Sequence, residues 1–196
     1  MKNILIATTF ASVLATASVA ADFDNNGVSV ILERDNVTFG LDTVDGEATA
    51  LSFGTTIMPH TVLGADADLT LGAEYGVISE ELTFSAAYEL SKRYGQVNTY
   101  VDLEAAYTVD SGDTDGVWEA TPTVGASLAV NDKLAAFGEV SYTWDASNDW
   151  AQAGGSAEIG ARYAVTDAVA LTPSLVRSFD TGADETNLNL SVALRF

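Results

Sequence analysis

A chain of 196 residues with no cysteine and a formal charge of −20 excludes several classes of protein. Disulfide scaffolds, thiolate metal sites and cysteine nucleophiles all require cysteine. Nucleic-acid binding requires a basic footprint, which 28 acidic against 8 basic residues do not provide. An apolar content of 47% is too high for an acidic disordered chain, so the chain is expected to fold.

The first residues are typical of a cleaved export signal. Lys2 supplies a positive start, residues 4–13 are mostly apolar, and small residues precede two equivalent cleavage points, after Ala20 and after Ala21. The apolar stretch is shorter than the about 20 residues that a membrane-spanning helix needs. We therefore predict a signal peptide over residues 1–21, export by the Sec pathway, and a single folded domain over residues 22–196.

The remaining chain alternates apolar and polar residues with a period of two, which predicts strands with two chemically different faces. The seven clearest segments begin near Asp68, Glu81, Gln96, Trp118, Leu134, Ala153 and Asn187. Weaker alternation covers residues 37–44, 47–57 and 168–179, so about ten strands are expected.

Three stretches are ambiguous. Residues 22–34 either continue into the strand that begins near Val37 or form a separate element in the lumen or the periplasm. Pro122 and Pro173 fall inside predicted strands, where a proline removes one ladder hydrogen bond. Each of these prolines is expected to mark a bulge, a strand end or a misplaced boundary.

The connections between the predicted strands alternate in length. Residues 131–132 and 166–167 form tight turns, whereas 110–116, 146–151 and 180–185 are longer and acidic. Short turns at one end and long loops at the other are typical of outer-membrane barrels. If the C-terminus is periplasmic, the acidic loops lie outside the cell.

Aromatic residues on the predicted apolar face are expected to form two belts at the membrane interfaces. The outer belt comprises Tyr75, Tyr107, Trp118 and Trp144, and the inner belt comprises Tyr88, Tyr163 and Phe196. We predict a closed antiparallel up-and-down transmembrane β-barrel of about 10 strands, with 8 or 12 as further options. A soluble exported β-sandwich is the competing fold, because it also alternates.

The signal peptide, the repeated hairpins and the last residues resemble the small porin-like outer-membrane proteins of Gram-negative bacteria. The resemblance implies that a C-terminal aromatic, preceded by alternating apolar residues, is recognised by the barrel-assembly machinery during insertion. It assigns that role to Leu190, Val192, Leu194 and Phe196. The chain departs from the family in having Leu194 where an aromatic residue is often found. The implied surroundings are outer-membrane lipid and lipopolysaccharide.

The predicted strands direct many carboxylates and two arginines into the lumen. These residues are Asp42, Asp68, Glu74, Glu81, Glu89, Asp102, Glu104, Glu119, Glu139, Glu158, Arg162 and Arg195. One interpretation is a narrow pore with a modest preference for cations. The other is a non-conducting structural or surface-interaction barrel, in which the arginines pair with neighbouring carboxylates. Small inward residues such as Gly72, Gly125 and Gly160 favour some open volume.

Catalysis and metal binding have little support in the sequence. His60 is the single histidine, follows Pro59 in a predicted connection, and has no serine placed beside it by the strand register. Asp110, Asp113 and Asp115 form a weak candidate for a Ca²⁺ site, which lacks EF-hand spacing. We therefore expect neither an enzyme nor a cofactor.

Overall fold

The computed structural model describes residues 25–44, 47–57, 59–110, 116–179 and 185–196. All regular elements in these ranges are β-strands. Within the same ranges there is no helix of the length and apolar character needed to cross a membrane. In chain order the strands are β1 (Asn25–Arg34), β2 (Val37–Val44), β3 (Glu47–Thr56), β4 (His60–Val62), β5 (Ala65–Gly76), β6 (Glu81–Tyr94), β7 (Val97–Asp110), β8 (Val117–Asn131), β9 (Leu134–Asp145), β10 (Ala151–Thr166), β11 (Val169–Phe179) and β12 (Glu185–Arg195).

The strands pair in one closed ring rather than in the two stacked sheets of a sandwich. From β5 to β12 each strand pairs with the next in the chain, and β12 returns to β1. Strands β3 and β4 both pair with β5, at successive positions along it, so β4 extends β3 after a short break. The wall therefore has eleven strand positions, and the predicted closed β-barrel is confirmed with one strand more than the about ten expected.

One pairing in the ring is parallel, and the odd strand count requires it. Neighbours in an up-and-down ring alternate in direction, and eleven positions cannot alternate all the way around. Strands β1 and β12 run in the same direction and pair from Asn25 opposite Asn187 to Glu33 opposite Arg195. At this seam the barrel differs from the even, wholly antiparallel ring that the sequence suggested.

Strand β1 resolves the ambiguous N-terminal stretch in a way that the sequence analysis did not consider. It neither continues into β2 nor lies in the lumen or periplasm, but is a wall strand of its own. A two-residue turn with Asp35 at a φ of 52° reverses the chain into an antiparallel pairing with β2. Ile31 lies on the polar face of β1, opposite Ala193, and weakens the alternation that would have revealed the strand. Residues 22–24 lie outside the described ranges.

The two ends of the barrel have connections of different length, as predicted. Two-residue turns join strands at residues 35–36, 63–64, 95–96, 132–133 and 167–168, at the end where β12 finishes, which we call the turn end. The connections at the opposite loop end span residues 45–46, 77–80, 111–116, 146–150 and 180–184, so all but the first are longer. The observed turns begin one residue after the predicted ones, because Asn131 and Thr166 complete β8 and β10.

The barrel exposes its apolar residues outward and has almost no conventional core. Leu103, Val124 and Ile159 lie near the middle of their strands and are 54%, 59% and 63% exposed. Among the described residues no large side chain is fully buried. The buried apolar residues are Val28, Val30, Ala50, Ala67, Ala170, Val192 and Ala193. An outward apolar face around a polar interior is the arrangement of a barrel surrounded by lipid.

The two prolines interrupt ladders without shifting the register. Beside Pro122 the β8–β9 pairing skips two residue pairs and resumes at the same register, while Pro122 itself still lies opposite Leu103 of β7. Beside Pro173 the β10–β11 pairing skips two pairs in the same way. The expectation of a bulge, a strand end or a wrong boundary at these sites is therefore wrong. One missing donor in a strand of eleven or more residues leaves enough ladder on both sides to hold the register.

Candidate functional site in the barrel lumen

The cross-strand registers place the predicted lumen residues on a single face of the wall, because directly opposed residues point to the same side of a sheet. Asp68 lies opposite Glu89, and Glu89 lies opposite Asp102. Glu139 lies opposite Glu158. The same ladders bring to this face Asp42, Glu74, Glu81, Glu104, Glu119, Arg162 and Arg195.

Contacts that pass over an intervening strand identify this face as the concave, inner one. The Tyr100 hydroxyl of β7 donates a hydrogen bond to Glu139 Oε2 of β9, across β8. The Arg162 guanidinium of β10 lies 4.0 Å from the Glu33 carboxylate of β1, across β11 and β12. Next-but-one strands are about 10 Å apart, so side chains bridge them only where the wall curves toward them.

The middle of the lumen is electrostatically negative. Glu89 interacts with Asp102, Asp68 and Glu139, all on this inner face. Glu74 interacts with Asp42 and Glu104, although β3 and β6 lie between these strands. Like charges that interact with one another in a partly desolvated cavity create a field that attracts cations.

The two predicted lumen arginines, Arg162 and Arg195, lie together at the turn end, where their shared partner is Glu33. The Arg195 guanidinium donates to the Glu33 carboxylate, and Arg162 approaches the other carboxylate oxygen. Glu33 was not predicted to line the lumen, because the sequence left open whether residues 22–34 continue into the strand near Val37 or form a separate element. The alternation of Ser29 and Glu33 with Val28 and Val30 was the signal that could have found it.

Hydroxyl groups pair across strands on the same inner face. Thr83 bonds Thr108 at 2.9 Å, and Ser141 bonds Ser156 at 2.8 Å. Ser174 of β11 hydrogen-bonds Glu158 of β10. These pairs satisfy the hydrogen-bonding groups of short polar side chains. The side chains therefore stay close to the wall and do not extend into the lumen.

The dimensions of the ring leave space inside it. Eleven strands about 4.8 Å apart and tilted by about 40° close at a backbone radius of roughly 11 Å. Side chains of about 6 Å on each wall would leave an opening of roughly 10 Å at this radius. Other small residues on the inner face widen it locally; they include Gly72, Ser127, Ser156 and Ser191.

Two aromatic rings that point inward lie against the wall instead of across the lumen. The Tyr100 ring covers Gly125, where a Cβ atom would overlap the ring. Phe137, the residue that broke the alternation of β9, covers Gly160 in the same way. Neither ring was predicted to line the lumen, since the need for an opposing glycine appears only with the register.

The predicted belt residues occupy different positions along their strands. Tyr75, Tyr107, Trp118 and Trp144 lie near the loop end, and the Tyr107 and Trp118 rings are 4.7 Å apart. Tyr163 is close to the turn end of β10. Tyr88 lies at the middle of β6 rather than at a strand end, with its hydroxyl 3.3 Å from His60 Nε2. Its placement in the inner belt is therefore corrected.

The residues of the predicted assembly signal lie on the outward face of β12 or just beyond it. Leu190 and Val192 pair with Val28 and Val30 of β1, and Leu194 pairs with Leu32. Phe196 follows the strand and is 71% exposed. The recognition role of these four residues stays a prediction.

The remaining polar candidates are His60 and the three aspartates of the predicted metal site. His60 begins the short strand β4 opposite Ala67, so its expected place in a connection is corrected. Asp110 is the last residue of β7, whereas Asp113 and Asp115 lie outside the described ranges. Among the described residues no group of three or more His, Cys, Asp or Glu side chains is arranged to hold a metal ion.

Comparison with known proteins places the fold. No protein-family model matches the chain, and no curated protein matches it. Among solved structures the chain is similar to the NanC porin, with a TM-score of 0.60 over 86% of this chain and 91% of that one, at 9% sequence identity. The protein therefore has the fold of a small porin-like β-barrel.

Proposed function

We propose that this protein is an outer-membrane channel through which small solutes diffuse passively, with a modest preference for cations. The observation that carries the proposal is the ring of inward carboxylates from β5 to β10, which interact across non-neighbouring strands. A solute that enters the barrel passes this ring within a few ångströms. A low-dielectric wall that carries charge of one sign concentrates counter-ions in the cavity.

The cellular setting belongs to the same proposal. The exposed apolar side chains in the middle of the strands favour insertion into the outer membrane, next to lipid and lipopolysaccharide. Export by the Sec pathway through residues 1–21, and insertion by the barrel-assembly machinery through the terminal strand, complete the route. The porin similarity supports a channel over an enzyme.

The reversal potential across planar bilayers tests the channel directly. The refolded protein, in a tenfold KCl gradient, is expected to give discrete current steps and a reversal potential of the sign that marks K⁺ permeability above Cl⁻ permeability. The triple variant Glu89→Gln, Asp102→Asn, Glu139→Gln removes three charges from the acidic ring. Its K⁺ over Cl⁻ permeability ratio is expected to fall severalfold toward one, because the counter-ion excess follows the wall charge.

A matched control separates lumen charge from total charge. Glu80→Gln, Asp149→Asn and Asp184→Asn remove the same number of charges within loop-end connections, and the permeability ratio is expected to change less than in the lumen variant. Absence of current from protein whose gel migration shifts on boiling would favour the non-conducting structural barrel. Preference for Cl⁻ would contradict the proposed cation selectivity.

A further inference from the structure

The basic residues of the barrel are concentrated at one end. We define the turn-end band as the five two-residue turns, up to five strand residues on either side of each, and the last five residues of β12. The band contains six basic residues, Arg34, Lys92, Arg93, Lys133, Arg162 and Arg195, and six acidic residues, Glu33, Asp35, Asp66, Asp68, Asp132 and Asp167. It is therefore close to neutral.

The rest of the described barrel is strongly acidic. In that part Arg177 is the single lysine or arginine, and it lies on the outward face of β11, near the loop end, beside Thr186. The inward carboxylates outside the band form what we call the acidic zone. They are Asp42, Glu74, Glu81, Glu89, Asp102, Glu104, Glu119, Glu139 and Glu158, together with Asp110, Asp145 and Glu185 near the loop end.

The two regions are in series along the path of an ion. Arg93 is four residues from Glu89 on the inner face of β6, and Arg162 is four residues from Glu158 on the inner face of β10. Four residues of a strand span about 13 Å, which exceeds the Debye length of about 8 Å at physiological salt. A permeating ion therefore experiences the charge of each region in turn, and not the average charge of the two regions.

The cations of the band face open space. Arg93, Lys133 and Arg162 line a cavity of about 500 Å³ at the turn-end mouth, which also contains Gln96 and Asp132. The Arg162 side chain is 45% exposed although it pairs with Glu33. These charges therefore act on the permeating ions as well as on the protein.

We propose that this series arrangement makes the channel rectify, so that it carries more current when cations move from the loop end to the turn end. The inference rests on the proposed function. The acidic zone passes cations and blocks anions, whereas the neutral band passes both. With cations driven toward the turn end, anions enter the band and stop at the acidic zone, so salt accumulates at the junction and conductance rises. Reversing the voltage depletes the junction and conductance falls.

Current–voltage curves of single channels with known orientation test this proposal. The chain has no cysteine, so Asn148→Cys in a loop-end connection provides one attachment point, and a bulky impermeant maleimide added to one side identifies the loop end. In 0.1 M KCl, where the Debye length is about 10 Å, the current ratio at opposite voltages is expected to be about 2 in the stated direction. In 1 M KCl, where it is about 3 Å, the ratio is expected to approach 1.

Neighbouring residues provide a matched pair of variants. Arg93→Gln with Arg162→Gln removes two inward charges from the band, makes the band acidic, and is expected to bring the ratio close to 1. Lys92→Gln with Arg34→Gln removes two charges from the outward face at the same end, and is expected to leave the ratio unchanged. Heat-shifted gel migration of each variant establishes that it has folded.

The outcomes distinguish this inference from the proposed function. A cation-selective wild-type channel with equal currents at both polarities, or with the larger current in the opposite direction, overturns rectification and leaves the channel function in place. Equal effects of the inward and outward variant pairs also overturn it. A folded barrel that passes no current overturns both proposals.

Discussion

At the scale of single residues, the width of the lumen depends on two glycines that are covered by aromatic rings. The Tyr100 ring lies over Gly125 and reaches Glu139, and the Phe137 ring lies over Gly160. A glycine at each of these positions lets a bulky inward side chain lie along the wall. The same ring standing upright would extend about 6 Å from the wall toward the axis of a lumen whose backbone radius is roughly 11 Å.

Substitution of Gly125 tests this account. In Gly125→Ala the new Cβ overlaps the Tyr100 ring, which is expected to swing into the lumen and lose its bond to Glu139. Single-channel conductance is expected to fall by roughly a factor of two for an opening about 10 Å wide. Adding Tyr100→Ala to this variant should restore the conductance.

Gly138→Ala is the matched control for that experiment. Gly138 is on the outward face of β9, and an added Cβ would meet its nearest atoms at 3.6 and 3.7 Å, which is ordinary contact. Its conductance is expected to equal that of the wild type. An equal loss in both glycine variants, or no loss in Gly125→Ala, would show that the ring does not control the opening.

At the scale of elements, β12 combines closure of the ring with a proposed recognition signal. Its outward residues pair with β1 along the parallel seam, and Val192 and Val30 are 7% and 4% exposed. Phe196 contributes little to this packing, because it follows the strand and is largely exposed. Recognition and stability can therefore be separated by experiment.

Phe196→Ala is expected to lower the amount of barrel assembled in the outer membrane severalfold, with no change in refolding of the purified chain into detergent. Phe84→Ala, which removes another exposed ring (51%) from near the loop end of β6, should leave assembly in cells near the wild-type level. Heat-modifiable migration of membrane fractions measures the first outcome, and the folded fraction in detergent measures the second. A parallel loss in both assays would indicate a structural role for Phe196.

At the scale of the whole molecule, the arrangement of apolar and polar faces is the reverse of a soluble domain. Exposed side chains such as Leu103, Val124 and Ile159 would be costly in water as one continuous surface, and lipid removes that cost. A charge placed on this surface therefore reports which solvent surrounds it.

Val124→Arg places a charge at the middle of β8, on the outward face. In phospholipid vesicles it is expected to lower the free energy of unfolding by about 2–4 kcal/mol. Trp118→Arg lies near the loop end of the same strand, where the charge is expected to cost about 0–1 kcal/mol. This second variant also loses the contact between the Trp118 and Tyr107 rings. Denaturant titration of vesicle-inserted protein measures both. No penalty at Val124 would contradict the membrane-spanning wall.

Local patterns in the sequence were sufficient to predict most strands, their two faces and the two unequal ends. Alternation is a property of each strand alone, since successive side chains point to opposite sides whichever strand lies next to it. For the same reason most carboxylates of the acidic zone were found before any partner of theirs was known. In β1, where Ile31 interrupts an already weak alternation, the prediction failed.

Closure of the ring was decided by the tertiary structure. Several features depend on which distant segments become neighbours. They are the number of wall strands, the parallel seam, the pairing of Glu33 with Arg195, and the positions of the Tyr100 and Phe137 rings over their glycines. Such pairings join residues up to 162 positions apart in the chain, and a period of two carries no information about them. The sequence by itself therefore determined the faces of the wall, and only the closed ring decided which charges and rings meet inside it.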